Sequence, residues 1–342
     1  MKRFIETIRN IWTIEELRGR IILTILMVSV YRLGSYVVLP GVNIDVLKAS
    51  ASSQSGGIVG LINMFSGGAF LRASIFGLGI MPYITASIII QLLGMAVPYF
   101  QKLQREGESG RKKINQYTRL LTIAVTAVQA PGYIASIKSG APNAFIESST
   151  LWWIQSIFIL VAGTMFVMWL GERITDKGLG NGISLIIMIG IISRLPFAFL
   201  SEFKSRMSGN GGLIIFLIEI VFLLLVIISC ILLVQGTRKI PVQFAKKIVG
   251  NKQYGGVRQY IPLKVNAVGV MPIIFAQAIM FIPAAIAGFS NSSGGIFTAR
   301  YGFWYNFIFA VLIILFTYFY TAIMVNPNQL ADDMKRNGGF IP

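Results

Sequence analysis

Long apolar runs separated by short polar segments dominate the chain from residue 21 onward. A helix crossing the roughly 30 Å hydrocarbon core of a bilayer takes about 20 largely apolar residues. Eight stretches meet that requirement: 21–39, 74–97, 118–137, 151–171, 182–200, 213–235, 266–287 and 303–325. They predict an all-α polytopic membrane protein. Arg32, Arg194 and Glu219 lie inside these runs. The first run has no small-x-small cleavage site and follows a polar-to-amphipathic lead, so it reads as a spanning helix and not a removable signal peptide.

The lead itself, residues 1–20, carries Phe4, Ile5, Ile8, Ile11 and Trp12 at helical spacing, with Lys2, Arg3 and Arg9 on the other side. That pattern predicts a helix lying flat in the membrane interface. A packing helix for a partner subunit is the alternative.

Composition agrees with the membrane reading. Hydrophobic residues make up 55% of the chain and charged residues 13%, against about 25% charged in ordinary soluble domains. So much apolar surface also excludes a disordered chain. There is no histidine, and the single cysteine, Cys230, sits in an apolar run as a small hydrophobe. An internal disulfide and a Ser-His-Asp triad are therefore excluded, and zinc and haem lose their usual ligands. No metal site and no cofactor is expected.

Charge then adds a topology. The chain has 30 Lys+Arg against 13 Asp+Glu, a net +17. With the N-terminus inside, the basic residues concentrate on cytoplasmic segments, and the outer segments keep only Lys48, Arg72, Lys138, Lys204, Arg206 and Arg300. The positive-inside rule thus places both ends in the cytoplasm. Two cytoplasmic loops are the most basic. One holds Arg105, Arg111, Lys112, Lys113 and Arg119; the other, 236–265, holds Arg238, Lys239, Lys246, Lys247, Lys252, Arg258 and Lys264 without an acid among them. Topology and attraction to anionic lipids account for a few such cations, at about 1 kcal/mol each. A large acidic or polyanionic partner is the second reading, and charge alone leaves both open.

Two further expectations come from the chain's irregularities. Residues 56–72 are apolar but too glycine-broken and short to span, and irregular backbone at membrane depth needs protein or a water-filled cavity to satisfy it. A re-entrant segment beside a cavity is one reading and a greasy surface loop the other. Arg194 and Glu219 each lie about six residues from the outer ends of their runs, roughly 9 Å deep at the helical rise. They are expected to pair, which lowers the cost of two intramembrane charges.

The motif Asn63-Met64-Phe65-Ser66-Gly67-Gly68-Ala69, followed by Arg72 to Phe76 and Gly79 to Leu93, resembles the bacterial SecY family. The similarity continues in Glu106 to Arg111, Trp169 to Glu172, Gly180 to Ser184, Pro262 to Asn266 and Gly338 to Pro342. It covers nearly the whole chain in a single order. The resemblance implies two pseudo-symmetric halves of five helices, an inverted-repeat bundle around a central pore, with eight spanning helices here against the family's ten. The first half would be 21–200 and an incomplete second half 213–342, two further helices being expected beyond Pro342.

The resemblance also implies site residues. A plug at about 58–70, including Asn63, Met64, Phe65, Ser66, Gly67 and Gly68, would seal the outer funnel. A pore ring would comprise Ile80, Ile84, Ile183, Ile187 and Ile274, where a stiff β-branched collar suits gating by dewetting. Gln91, Gln129 and Gln277 would latch a lateral gate; on their own they read equally as interhelical hydrogen bonds. The basic residues Arg105, Arg111, Lys112, Lys113, Arg238, Lys239, Lys246, Lys247, Lys252 and Arg258 would dock the SecA motor and the ribosome. SecE and SecG subunits, signal-bearing polypeptides and anionic lipids complete the implied partners.

The expected function is a non-enzymatic protein-conducting channel of the cytoplasmic membrane. A secondary solute transporter is the alternative, disfavoured because such proteins place charged coupling sites near the midplane. An intramembrane enzyme is weaker still, for want of a nucleophile–base pair.

Overall fold

A computed structural model describes residues 6, 12–47, 63, 66–146, 149–208, 212–244, 247–249, 252–254, 258–269, 271–273, 275–276, 279–280, 302–324, 327–336 and 339–340. Met64, Phe65, Lys246, Ile274 and Gln277 lie outside the described residues, as do residues 1–5 and 7–11 of the expected interfacial lead. The chain forms two compact units, Met1–Phe199 with Met280–Tyr305, and Leu200–Ile279 with Asn306–Pro342.

The first unit begins with α1 (Glu15–Gly34), which carries Glu15 and Glu16 in its first turn and Arg32 in its last, the arrangement that suits the helix dipole. Arg20 pairs with Glu16 at 2.7 Å. The helix starts six residues before the expected apolar run because this charged turn is itself helical. After an irregular passage come α2 (Met81–Ala96) and α3 (Pro98–Arg105). Val97 is extended, as the residue before a proline tends to be, and the two helices meet at 102°. The expected span at 74–97 is thus helical only from Met81.

Next, α4 (Glu108–Gly140) runs for 33 residues, about 50 Å at 1.5 Å per residue. Thr118, Thr122 and Thr126 form a buried stripe on it, and each hydroxyl donates to the carbonyl four residues back, at 2.9, 2.7 and 2.6 Å. Helix α5 (Thr150–Lys177) is capped by Ser149, whose hydroxyl accepts from the Trp152 N–H. Helix α6 (Gly182–Ile192) is capped by the Asn181 side chain, which accepts from Ile183 and Ser184. These caps satisfy amide donors that the helix cannot pair internally.

Close helix approach rests on small residues. A Cβ on Gly182 would meet the Gly171 carbonyl, and one on Gly163 the Ile75 carbonyl. Two apolar clusters result. One gathers Leu39, Leu47, Phe70, Tyr133, Ile134, Trp152 and Leu160, and Trp152 donates its indole N–H to the Pro40 carbonyl at 2.7 Å. The other gathers Tyr31, Phe76, Ile80, Val167, Leu170, Ile174 and Ile186.

A second helix, α7 (Leu195–Met207), follows the break at Ser193–Arg194 and lengthens the expected span 182–200 to Gly182–Met207. In the second unit, α8 (Gly212–Gln235) buries only Phe216, which meets Phe203 with ring centroids 5.3 Å apart. A helix apolar all round is one built to face lipid. Arg206 bridges Glu202 at 2.9 Å and Glu219 at 2.6 Å. The expected Arg194–Glu219 pair is therefore corrected. Because α7 runs on past residue 200, Arg206 is the cation brought to Glu219, and the depth argument counted from the wrong helix end.

The basic segment 236–265 is a β-structure and not an irregular loop. Strand β1 (Thr237–Phe244) pairs antiparallel with β4 (Arg258–Lys264), from Thr237 opposite Lys264 to Gln243 opposite Arg258. Between them β2 (Lys247–Val249) pairs with β3 (Lys252–Tyr254). Helices α9 (Phe303–Met324) and α10 (Pro327–Arg336) follow, and β5 (Gly339–Phe340) pairs with β1. Five helices among the described residues are long and apolar enough to cross a membrane, six with the bent α2–α3 pair. Half of the expected seventh span, 266–287, lies outside the described residues, including all of 281–287.

The glycine contacts make a paired prediction. Gly182→Ala should lower stability by about 1–3 kcal/mol through overpacking on the Gly171 carbonyl. Gly19→Ala, in α1 with nothing within 4 Å of the added carbon, should stabilise by about 0.5–1 kcal/mol. Thermal melting of the detergent-solubilised protein reads both.

Candidate seal and cytoplasmic face

The irregular passage 66–80 between α1 and α2 is buried and tied down along its length. Asn63, also buried, accepts at its carbonyl from the Gly68 N–H (2.8 Å) and the Ser66 hydroxyl (3.2 Å). Its side-chain oxygen accepts from the Leu71 N–H at 3.1 Å, and the Ser66 oxygen accepts from the Phe70 N–H at 3.1 Å. The Phe70 carbonyl accepts from the Tyr133 hydroxyl of α4 at 2.8 Å, and the two rings meet edge to face at 4.7 Å. On the other side, the Leu39 N–H donates to Ala73 (2.8 Å) and the Ile75 N–H to Val37 (2.9 Å). Positive φ at Gly67, Gly68 and Gly79 provides the turns.

Of the expected plug residues, Asn63, Ser66, Gly67 and Gly68 therefore sit in a knot bonded into the wall. Gly67 is also close-packed: a Cβ there would lie 2.6 Å from the Arg32 guanidinium and 3.1 Å from Gly190 of α6. Tyr133 gave no signal in the sequence beyond being an aromatic in a spanning run.

Below this knot the structure brings four expected ring residues together. Ile80 belongs to the second apolar cluster, with Ile84, Ile183 and Ile187 packed against it. Ile80 caps α2 from outside the helix, yet the Ile84 N–H still donates to its carbonyl at 3.1 Å, so the two stay one turn apart. Ile183 and Ile187 occupy the first two turns of α6, positioned by the Asn181 cap. Gln91 is half-buried on α2 and donates to Ser87 on its own helix at 3.5 Å; Gln129 is half-buried on α4.

At the far end of the same helices, Arg119 of α4 holds Glu172 of α5 with two hydrogen bonds, at 3.1 and 2.6 Å. Sequence reading placed Arg119 in the basic cluster without its acid, since the two are 53 residues apart. Arg111, Lys112 and Lys113 are exposed at the start of α4, with Lys112 3.3 Å from Glu108, and Arg105 ends α3. The Tyr99 and Tyr117 hydroxyls share a hydrogen bond at 3.3 Å. That bond pushes the Tyr99 phenol above its ordinary pKa.

In the second unit the β1–β4 ladder sorts its residues by face, since directly opposed residues share a side. Ile240 and Val242 stand with Ile261 and are buried or half-buried. Lys239 stands on the other side, exposed, together with Lys264 and Tyr260. Arg238 is exposed, while Lys247, Lys252 and Arg258 lie in β2, β3 and β4. Among the described residues no three His, Cys, Asp or Glu side chains converge on a metal site.

The fold is that of protein-conducting channels. The chain superposes on the structure of a protein-conducting channel with TM-score 0.62 at 18% identity, covering 95% of this chain and 77% of the other. It superposes with TM-score 0.64, 18% identity and the same coverage on a SecY structure whose plug domain stabilises the closed state of the translocation channel and maintains a membrane seal. It is thus a multi-pass α-helical membrane protein with the fold of those channels. A family model for SecY matches residues 74–342. The chain is 41% identical over 349 residues to the protein translocase subunit SecY of Streptomyces scabiei, covering 96% of this chain and 78% of that one. It is 39% identical over 365 residues to that of Mycobacterium tuberculosis, covering 100% and 81%. The chain belongs to the SecY family of protein translocase subunits.

Tyr133→Phe keeps the ring but removes one of the two donors to the buried Phe70 carbonyl, leaving the Ala73 N–H at 3.2 Å. A loss of about 0.5–1.5 kcal/mol is expected, measurable by thermal melting beside the exposed control Tyr318→Phe, which should change little.

Proposed function

We propose that this chain is the channel subunit that conducts signal-bearing polypeptides across the cytoplasmic membrane and releases apolar helices sideways into it. The observation that carries the reading is the convergence of Ile80, Ile84, Ile183 and Ile187 in one apolar cluster, beneath a buried passage with no helix of its own. An apolar collar a few side chains wide expels water and so blocks ions, yet offers a passing polypeptide no charge to bind. Ile274 completes the ring.

The segment around 58–70 acts as the plug, with Asn63, Met64, Phe65, Ser66, Gly67 and Gly68. Its C-terminal end is tied to α4 by the Tyr133 hydroxyl, which donates to the Phe70 carbonyl. Gln91, Gln129 and Gln277 line the lateral gate. The N-terminus is cytoplasmic, the lead before α1 (Glu15–Gly34) forms an interfacial helix, and 21–200 and 213–342 form the two halves.

The cations of α3, α4 and the segment 236–265 face the cytoplasm and dock SecA and the ribosome, with Arg105, Arg111, Lys112, Lys113, Arg238, Lys239, Lys246, Lys247, Lys252 and Arg258 as the contact set. What supports this is the joint exposure of Arg111, Lys112 and Lys113 on α4 and of Arg238 and Lys239 on β1. SecE, SecG and anionic lipids are the remaining partners. A solute transporter is not favoured: Glu219 is already held by Arg206, which leaves no free acid in that helix to couple an ion.

Reconstitution tests the reading. Vesicles containing the chain and its partner subunits should import a signal-bearing precursor when SecA and ATP are supplied, and failure with an active motor would refute it. In planar bilayers Ile84→Asn or Ile187→Asn should leak ions at rest by wetting the collar. Unchanged conductance in both would remove these residues from the ring.

A further inference from the structure

Three guanidinium groups meet where Gly67 and Gly68 turn. Arg32, in the last turn of α1, donates through Nη1 to the Gly67 carbonyl at 3.3 Å, and its Cζ lies 5.6 Å from the centre of the Tyr36 ring. Arg72 lies over that same ring at 4.3 Å. Arg194, at the break between α6 and α7, brings its guanidinium to 3.0 Å from the position a Cβ on Gly68 would occupy. Arg72 and Arg32 are the charged groups acting on Arg194.

No acid offsets them. Among the described residues the ion pairs join Arg20–Glu16, Lys112–Glu108, Arg119–Glu172 and Arg206 with Glu202 and Glu219, and none reaches this cluster. The Nη1 of Arg72 is buried without a hydrogen-bond acceptor. A buried donor left unpaired is costly, and three like charges around one point repel. Tyr36 offers two of them a ring face, which softens the repulsion without neutralising it.

We propose that Arg32, Arg72 and Arg194 form a binding site for a phosphate-class oxyanion, seated beside Gly67–Gly68. Guanidinium forks match the oxygens of such an ion in pairs. A tetrahedral dianion offers enough acceptors for three forks, where a carboxylate has two oxygens and one charge. The glycines keep the space open, since a Cβ on either would press against a guanidinium. Arg194 is exposed and Arg32 and Arg72 are half-buried, so the site is reachable from solvent. Bound there, the ion ties the end of α1, the passage before α2 and the α6–α7 break to one centre. The phosphate comes either free from solution or as the head of an anionic lipid.

The test uses the purified full chain with whatever subunits accompany it. Melting is followed in detergent with sodium phosphate against sodium chloride at equal ionic strength, and in nanodiscs of phosphatidylglycerol against phosphatidylcholine. Arg194→Gln is the main variant, because its exposed side chain leaves folding intact; Arg72→Gln is the second, and exposed Arg111→Gln the control. Phosphate is expected to protect the wild type and the control, with an apparent affinity about tenfold or more weaker in Arg194→Gln, as loss of one charge-assisted contact implies. Protection by phosphatidylglycerol alone, lost in the same variant, supports the site with lipid as its source. Protection that is absent in the wild type with both probes, or equal in wild type and Arg194→Gln, overturns it.

Discussion

In a bilayer every backbone N–H and C=O has to find its partner inside the protein, and the passage 66–80 is where this chain meets that demand without a helix. Its amides and carbonyls are taken up by Asn63, Ser66, Tyr133 and the extended residues 37–39. The surrounding helices are arranged to make this possible. Tyr133 needs α4 to pass alongside, and Gly163 on α5 and Gly34 on α1 leave room for the Ile75 carbonyl and the Phe76 ring. Ile80, at the end of this passage, packs with Ile84, Ile183 and Ile187 in one apolar cluster.

Much of this was legible in the sequence because its causes are local. The apolar runs gave α4, α5, α6 with α7, α8 and α9, since crossing lipid leaves few other ways to satisfy a backbone. The collar residues and the plug came from motif resemblance, and the clustering of Ile80, Ile84, Ile183 and Ile187 agrees with their being neighbours. What escaped were features fixed by distant parts of the chain. The Arg119–Glu172 pair joins two helices whose relative rotation no periodicity reports. The Arg206–Glu219 pair depended on where α7 stops, and apolar content alone ended that helix seven residues early. The β-hairpin was masked by its charge: alternation in Lys239-Ile240-Pro241-Val242 is short, and a basic stretch interrupted by Pro241 and Pro262 resembles a loop until Ile240 and Val242 are seen sharing a face with Ile261.

Electrostatics divides the molecule by purpose. Cations on α4 and the hairpin are exposed and spread along rigid elements. Charges within or beside the apolar helices are paired locally, as Arg206 is with Glu202 and Glu219, or are left crowded around Gly67 and Gly68. The first arrangement spreads charge along an element, and the last concentrates it on a point.

The threonine stripe of α4 has a mechanical consequence. Thr118, Thr122 and Thr126 spend their hydroxyls on their own helix, so what they turn toward neighbouring helices is largely methyl surface. Sliding such a surface past another breaks no directional bond and loses only contact area, which is regained at the next register. At this stripe α4 is held by contact area alone, so its register on its neighbours rests on directional bonds made elsewhere along it, Tyr133 to Phe70 and Arg119 to Glu172.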